Sequence, residues 1–301
     1  MPEGDSVWLV ARKLDRALQG ATVTRSDFRV PRLATRDLAG RSVLEHATHG
    51  KHLLTRFSDD VTLHSHLLMD GSWKTTGPGK RLPGRFMPQV RVLLSVDSGH
   101  TAYGLKVHRL ELVRTSEEHR VVGHLGPDPL RDDWDPAEAV RRLRAEPERP
   151  FVAALLDQRL MAGLGNLWVN ELAFLTGVSP WTPIGEVDVE RLVVRAADAL
   201  HRSATTNGAY QVTTGNPTRG ETHWVSGRQR KRCLRCGDQV QMVEEVANDP
   251  EQRRTWWCPT CQPGPAPDPS RSSVPRSSAT RSASRSAYAG PAARRTPPRS
   301  R

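Results

Sequence analysis

The spacing of apolar residues divides the chain into a β-rich part followed by a helical part. A helix is predicted directly at the start, because apolar residues recur there at helical spacing, at Val7, Trp8, Ala11, Leu14 and Leu18. Asp5 or Ser6 would cap this helix and Gly20 would end it. From about residue 22 to residue 114, short apolar runs are broken by Gly, Pro and Asp, which is typical of β-strands. Helical spacing then returns in residues 135–143, 151–158, 167–175 and 188–200.

The positive charge of the chain is concentrated at its C-terminal end. The 301 residues carry a formal net charge of +11, and residues 263–301 alone contain eight Arg and a single acid, Asp268. This tail is also rich in Pro and Ser and poor in large apolar residues, so we expect it to be disordered. Such a tail attracts polyanions or protein partners weakly, or serves only as a solubilising extension.

The sequence favours a cytoplasmic protein over a membrane or secreted one. No run reaches the roughly 18 apolar residues that a spanning helix needs. The start also lacks the basic and apolar regions of a secretion signal.

The four cysteines lie in two closely spaced pairs, Cys233 with Cys236 and Cys258 with Cys261. Two such pairs predict one tetrahedral site, and four thiolates leave no open coordination position, so the predicted zinc ion is structural rather than catalytic. The 21 residues between the pairs are expected to form a two-stranded hairpin. A redox pair is disfavoured, because neither Cys pair stands in a thioredoxin-type pattern of strand and helix.

Basic residues surround this cysteine module. Between residues 219 and 236 the only acid is Glu221, whereas the bases are Arg219, Arg228, Arg230, Lys231, Arg232 and Arg235. Arg253 and Arg254 follow near the expected tip of the hairpin. Any one of these side chains alone is best explained as a solvated surface charge. The cluster on a rigid module instead favours contact with nucleic-acid phosphates.

A short segment with two glycines joins two of the predicted helices. Residues 156–167 end one helix, pass through Gly163 and Gly165, and start the next helix at Asn166, a residue type preferred at the N-cap. The unpaired N–H groups at such a helix start favour an anion, and a phosphate would fit there. An ordinary helix–helix turn has the same pattern. Taken together with the basic cysteine module, the turn is better explained as part of a binding site for duplex nucleic acid.

The N-terminus carries reactive groups once Met1 is removed. Pro2 would then present a secondary amine near the positive end of the first helix, next to the carboxylate of Glu3. The helix dipole favours the neutral amine, which can attack an aldehydic carbon and form an iminium intermediate while Glu3 moves protons. Lys51 could bring a second cation to the same site. An N-terminus without special chemistry is the simpler interpretation of the composition, and only the combination of motifs decides against it.

Four motifs occur in one order along residues 2–262: Pro2-Glu3-Gly4, GKHLL at 50–54, AGLGN at 162–166, and the four cysteines. In this combination the chain resembles the Fpg/Nei family of DNA glycosylase/AP lyases. The resemblance implies a multidomain α+β fold with an N-terminal β-sandwich catalytic domain at 2–118. It further implies a helix-two-turn-helix DNA-binding domain at 130–225, a zinc finger at 226–262 and the disordered tail at 263–301.

The resemblance also implies roles for individual residues. Pro2 is expected to be the nucleophile at the sugar C1′, Glu3 the general acid/base, and Lys51 a phosphate or sugar contact needed for catalysis. Asn166 and Arg253 are expected to bind phosphates around the flipped nucleotide. The expected partner is damaged double-stranded or single-stranded DNA, bound by a monomer associated with the nucleoid. Protein partners would be reached through the basic tail.

Two features resemble the endonuclease VIII branch of the family. Gly4 stands where the purine-repair branch usually has Leu, and residues 103–112 lack the Arg-Arg-Phe loop of that branch. Oxidised pyrimidines are therefore the expected lesions. The strand would be cut by β,δ-elimination after the base has been removed.

Other features depart from the family. Asp5 and Ser6 stand in place of the usual Pro-Glu, which removes a carboxylate from the neighbourhood of the site. Leu68 and Met69 lie where the family inserts a wedge into the base stack, although Met69 could also be a plain strand residue at a turn. These departures support a second hypothesis, a weakly catalytic or non-catalytic relative that binds damaged DNA.

Overall fold

The computed structural model describes residues 2–244 and 253–267. The expectations for Met1 and for residues 268–301 lie outside these ranges. The first helix, α1, spans Gly4–Leu18 and has Glu3 as its N-cap. The expected capping by Asp5 or Ser6 is therefore wrong, and both residues lie in the first turn. The Ser6 hydroxyl accepts the N–H of Glu3 at 3.2 Å, which moves the start of the helix to Gly4.

The predicted β-rich part consists of two antiparallel sheets. Its eight strands are β1 (Val23–Phe28), β2 (Val43–His49), β3 (His52–Phe57), β4 (Val61–His66), β5 (Ser72–Thr76), β6 (Val90–Val96), β7 (Thr101–Leu105) and β8 (Arg109–Arg114). One sheet has the order β1-β6-β7-β5 and the other the order β2-β3-β4-β8. The expected β-sandwich is confirmed.

The apolar face of α1 belongs to the core of this sandwich. Val7, Ala11 and Leu14 are almost fully buried in one cluster with side chains of both sheets, such as Phe57 and Leu94. Burial of each large side chain stabilises the fold by about 1.5–3 kcal/mol. The packing therefore fixes the axis of α1, and with it the position of the residues that precede its first turn.

Five helices form the next part: α2 (His119–Val122), α3 (Pro136–Arg144), α4 (Phe151–Leu156), α5 (Asn166–Thr176) and α6 (Val189–Thr205). The start of α3 is as predicted, because the Asp135 side chain accepts the N–H of Glu138 at 3.0 Å. Residues 157–165 connect α4 with α5, and α5 packs against α6 through buried apolar residues such as Leu172 and Leu200. None of the helices in the two described ranges is long and apolar enough to cross a membrane.

The cysteines belong to a small module beside α5. Its strands, β9 (Gln241–Val243) and β10 (Thr255–Trp257), pair antiparallel, as the predicted hairpin requires. The buried carboxylate of Glu171 on α5 accepts the N–H groups of Trp224, Val225 and Ser226 at 2.8–2.9 Å. Because a buried carboxylate is costly unless its lone pairs are satisfied, these bonds hold the segment before the module against α5.

Candidate active site between the sandwich and the helices

The start of the chain inserts into the glycine turn between α4 and α5. The N–H of Gly4 donates to the carbonyl oxygen of Gly163 at 2.8 Å. A Cβ on Gly4 would lie 2.8 Å from the Cα of Gly163, which is closer than real Cβ contacts come. Gly163 has a φ of +98°, a region that favours glycine. The two glycines therefore allow a direct backbone contact between the sandwich and the helical part.

The Glu3 carboxylate lies at the N-terminus of α5. It is completely buried and accepts the N–H groups of Gly165 and Leu167 at 2.8 Å each, and that of Trp168 at 3.4 Å. Gly165 is the N-cap of α5 and Asn166 is its first helical residue. Two expectations are thus wrong: Asn166 does not cap the helix, and these N–H groups bind the protein's own carboxylate rather than a phosphate.

The surroundings of Glu3 raise the pKa of its carboxyl group to about 7. Burial is the main cause, and the negative charge of Asp5 adds to it. The positive charge of Lys51 and the N–H groups of α5 act in the opposite direction. A carboxyl group with this pKa can both donate and accept a proton at neutral pH, as a general acid/base must.

Lys51 lies in the tight turn between β2 and β3. A buried carboxylate fixes this turn, since the N–H of Gly50 donates to Asp128 Oδ2 at 2.7 Å and the N–H of Leu130 donates to Asp128 Oδ1 at 2.9 Å. A Cβ on Gly50 would lie 3.3 Å from the backbone nitrogen of Gly163. The turn therefore packs against the glycine turn, and the charge of Lys51 acts on Glu3.

Asn166 connects the glycine turn with the cysteine module. Its Nδ2 donates to the carbonyl oxygen of Arg254 at 2.9 Å, and one turn later Asn170 Oδ1 accepts the N–H of Trp256 at 2.8 Å. These bonds attach β10 and the residues before it to the start of α5. Arg253, the neighbour of Arg254, is thereby brought to the same region as Asn166.

A cavity of about 370 Å³ opens beside Pro2. Its lining combines the start of α1 with the β4–β5 turn and one residue of the segment after α6: Pro2, Ser6, Leu9, Val10, Leu67, Gly71, Ser72, Trp73 and Tyr210. The volume lies in the range of roughly 300–1,000 Å³ that is usual for small-molecule sites. Sequence reasoning missed Tyr210, because no local pattern distinguishes it.

Leu68 and Met69 lie at the tip of the turn between β4 and β5, next to this cavity. Their side chains are 40% and 65% exposed. The N–H of Leu68 donates to His66 Nδ1 at 3.0 Å, and Leu68 has a φ of +52°. The turn therefore presents two large apolar side chains to solvent, and Met69 is not a plain strand residue.

The four cysteine sulfurs lie within 4.8 Å of one another. Two of the Sγ–Sγ distances are 3.9 Å, between Cys233 and Cys261, and 3.5 Å, between Cys236 and Cys258. Four sulfurs bound to one tetrahedral ion at about 2.3 Å are about 3.8 Å apart. The cluster therefore fits a single tetrahedral metal ion, and it is the only group of such spacing among the residues that the structure describes.

Family models match most of this arrangement. Residues 1–125 match the formamidopyrimidine-DNA glycosylase N-terminal domain, and residues 125–214 match the formamidopyrimidine-DNA glycosylase H2TH domain. The fold is also similar to Lactococcus lactis Fpg in complex with DNA containing N7-benzyl-Fapy-dG. That comparison has a TM-score of 0.69 at 24% identity and covers 87% of this chain and all of the other. The chain belongs to the Fpg/Nei family of DNA glycosylases and AP lyases, which confirms the resemblance carried by the four motifs.

Two of the similar relatives are named as endonuclease VIII proteins or lyases. A probable endonuclease 8 2 from Streptomyces coelicolor is 49% identical over 89% of this chain and 96% of its own length. The DNA-(apurinic or apyrimidinic site) lyase Nei2 of Mycolicibacterium smegmatis is 41% identical over 87% and 99%. A formamidopyrimidine-DNA glycosylase from Latilactobacillus sakei reaches 29% over 87% and 98%. The similarity is thus greater to the endonuclease VIII branch, as Gly4 indicated.

Proposed function

We propose that this protein is a bifunctional DNA glycosylase and AP lyase that removes oxidised bases, with a preference for pyrimidines. The observation that carries the proposal is the Glu3 carboxyl group, completely buried next to Pro2, with a pKa of about 7. The cavity beside Pro2 adds a place for the damaged base. The similarity to endonuclease VIII proteins supports the choice of pyrimidines.

In this proposal the amine of Pro2, exposed after removal of Met1, attacks C1′ of the damaged nucleotide. The bond from C1′ to the base breaks as the bond to the Pro2 nitrogen forms, and the base leaves with a proton. The sugar ring then opens: the bond from C1′ to the ring oxygen O4′ breaks, O4′ takes a proton, and C1′ forms a double bond to the Pro2 nitrogen, which gives an iminium. The iminium acidifies the C2′ hydrogen, whose loss expels the 3′ phosphate, and a second elimination expels the 5′ phosphate. Glu3 donates and accepts the protons, because both of its forms are populated at neutral pH.

DNA binding in this proposal uses two cationic side chains and one amide side chain. Lys51, Asn166 and Arg253 contact phosphates around the everted nucleotide, and these contacts offset the few kcal/mol needed to unstack it. Leu68 and Met69 fill the space that the nucleotide leaves in the stack. The substrate is double-stranded or single-stranded DNA, and the protein acts as a monomer in the cytoplasm, at the nucleoid.

The cysteine module supplies a further part of the proposed DNA-binding surface. We assign one structural zinc ion to Cys233, Cys236, Cys258 and Cys261, because four closely spaced thiolates satisfy a tetrahedral ion without an open position. The chain then divides into a catalytic sandwich at 2–118, a DNA-binding helical domain at 130–225 and a zinc finger at 226–262. The basic tail at 263–301 adds weak contacts to DNA or to protein partners.

The test is borohydride trapping on an oligonucleotide with one abasic site. The native protein is expected to form a covalent adduct with the DNA. Pro2→Gly and a form that retains Met1 serve as comparisons, and the Met1-retaining form should give no adduct, because its Pro2 nitrogen is held in a peptide bond. If the native protein binds the DNA without forming an adduct, the catalytic proposal fails and a damage-binding function replaces it.

A further inference from the structure

Two hydroxyl groups meet in the wall of the cavity beside Pro2. Ser6 Oγ and Tyr210 Oη lie 2.8 Å apart, although the residues are 204 positions apart in the chain. Both side chains line the cavity, and Tyr210 is 48% exposed. The contact therefore joins the first turn of α1 to the segment that follows α6.

Asp5 holds this segment in place. Its buried Oδ2 accepts the hydroxyl of Ser203 at 2.6 Å and the indole N–H of Trp168 at 3.1 Å. Ser203 Oγ in turn accepts the N–H of Gln211 at 2.8 Å, next to Tyr210. The position of Tyr210 is thus set by a buried network that connects α1, α5 and α6, rather than by its own short contact with Ser6.

The arrangement leaves Tyr210 able to donate or to accept a hydrogen bond. Ser6 Oγ lies 3.3 Å from Asp5 Oδ1, so Ser6 can donate to Asp5 while Tyr210 donates to Ser6. Alternatively, Ser6 donates to Tyr210, and the phenol hydrogen then points to a ligand. Burial raises the pKa of Tyr210 above its usual value, so the phenol keeps its proton at neutral pH.

We propose that the Ser6–Tyr210 hydroxyl pair recognises the everted base in the cavity beside Pro2. The pair matches the imide edge of an oxidised pyrimidine, which presents both carbonyl oxygens and an N–H. A carboxylate at position 6 would accept hydrogen bonds only, and its charge would repel the base carbonyl. Ser6 in place of the acid usual in the family therefore makes this wall neutral, and through its contact with Ser6 the Tyr210 hydroxyl can bind either kind of group. This inference rests on the proposed glycosylase function.

The test compares two substrates that differ only in the presence of a base. One oligonucleotide carries a single 5,6-dihydrouracil, whose imide edge is intact, and the other carries a preformed abasic site. Single-turnover cleavage rates are measured on both for the native protein, Tyr210→Phe, Ser6→Ala and Ser6→Glu. Tyr210→Phe keeps the ring and removes only the hydroxyl. Loss of one hydrogen bond to the base is expected to lower the ratio of the dihydrouracil rate to the abasic rate about tenfold.

Ser6→Ala should lower the same ratio, and Ser6→Glu should lower it further. Tyr103→Phe is the matched control, because Tyr103 lies on β7 in a separate apolar cluster, and its ratio should stay at the native value. An unchanged ratio in Tyr210→Phe and Ser6→Ala, or an equal fall of both rates, would overturn the inference. Absence of cleavage of abasic DNA by the native protein would instead refute the proposed function, and with it this inference.

Discussion

Gly165 has no room for a side chain, because the space is filled by Glu3. A Cβ at position 165 would lie 2.4 Å from Glu3 Cδ and 2.6 Å from its Oε1. The φ of Gly165 is −125°, which any residue adopts, so alanine meets a steric conflict but no backbone strain. We therefore predict that Gly165→Ala displaces the Glu3 carboxyl group while α5 stays intact.

This displacement has two measurable effects. The carboxyl group loses hydrogen bonds that are now 2.8 Å long, and its complete burial leaves no water to replace them. Overpacking of this kind typically costs 1–3 kcal/mol, so the free energy of unfolding should fall by about 2 kcal/mol. A displaced general acid/base typically lowers the rate by roughly 10²–10⁴-fold, so we expect cleavage of abasic DNA to slow by at least about 100-fold.

Single-turnover cleavage with enzyme in excess measures the rate, and urea unfolding measures the stability. Affinity for abasic DNA should change little, because Arg253 and the basic finger are untouched. Gly84→Ala is the control, since a Cβ at that position meets nothing within 4 Å. If Gly165→Ala cleaves abasic DNA at the native rate, both the position of Glu3 and its assignment as the acid/base are wrong.

Three further predictions concern Glu3, the cysteine module and Arg253. Because folding raises the pKa of Glu3 from 4.5 to about 7, the native state holds a proton that the unfolded chain releases between these values. The free energy of unfolding should therefore decrease by roughly 3 kcal/mol as the pH rises from 4.5 to 7, and urea titrations of Glu3→Gln should lack this decrease. Chelation should unfold the cysteine module and abolish DNA binding, as circular dichroism and fluorescence anisotropy would show, and full binding without metal would contradict the zinc assignment. Arg253→Ala should reduce the slope of log K against log salt by about 0.9, and an unchanged slope would mean that Arg253 contacts no phosphate.

Local signals in the sequence were sufficient for those elements whose stabilising contacts are local. The start of α3 at Asp135 and the periodic apolar face of α1 depend on contacts within one or two turns, so they can be predicted from neighbouring residues. The predicted N-caps of α1 and α5 were wrong because these helix starts depend on contacts between distant parts of the chain. The anion at the start of α5 comes from Glu3, 162 residues before Gly165, and the N-cap of α1 is the same residue. Spacing along the chain cannot indicate such a contact.

Spacing along the chain also fails to indicate the tertiary contacts of the candidate active site. Pro2, Glu3 and Lys51 can be predicted as site residues because they belong to motifs of a known family, whereas Tyr210 and Asp128 belong to none of those motifs. Asp128 fixes the turn of Lys51 by accepting the N–H of Gly50, and Tyr210 enters the cavity wall only through the network of Asp5. Both depend on tertiary contacts of buried polar groups. The motifs point to the proposed reacting groups, and the structure shows which contacts hold these residues in place.

The position of Asp5 shows whether the unusual Asp5-Ser6 pair deprives the site of a carboxylate. The sequence predicted the loss of a carboxylate near the site, yet the structure places the Asp5 carboxylate close enough to raise the pKa of Glu3. Asp5 does not line the cavity: its Oδ2 accepts from Trp168 and Ser203, and its Oδ1 accepts the backbone N–H of Ser6 at 2.7 Å. The negative charge that acts on Glu3 is therefore retained, while the cavity wall itself becomes neutral at Ser6. Under the proposed function, this separation preserves the proton chemistry of Glu3 and changes the wall that the base meets, which argues for an active enzyme with altered base recognition rather than a disabled one.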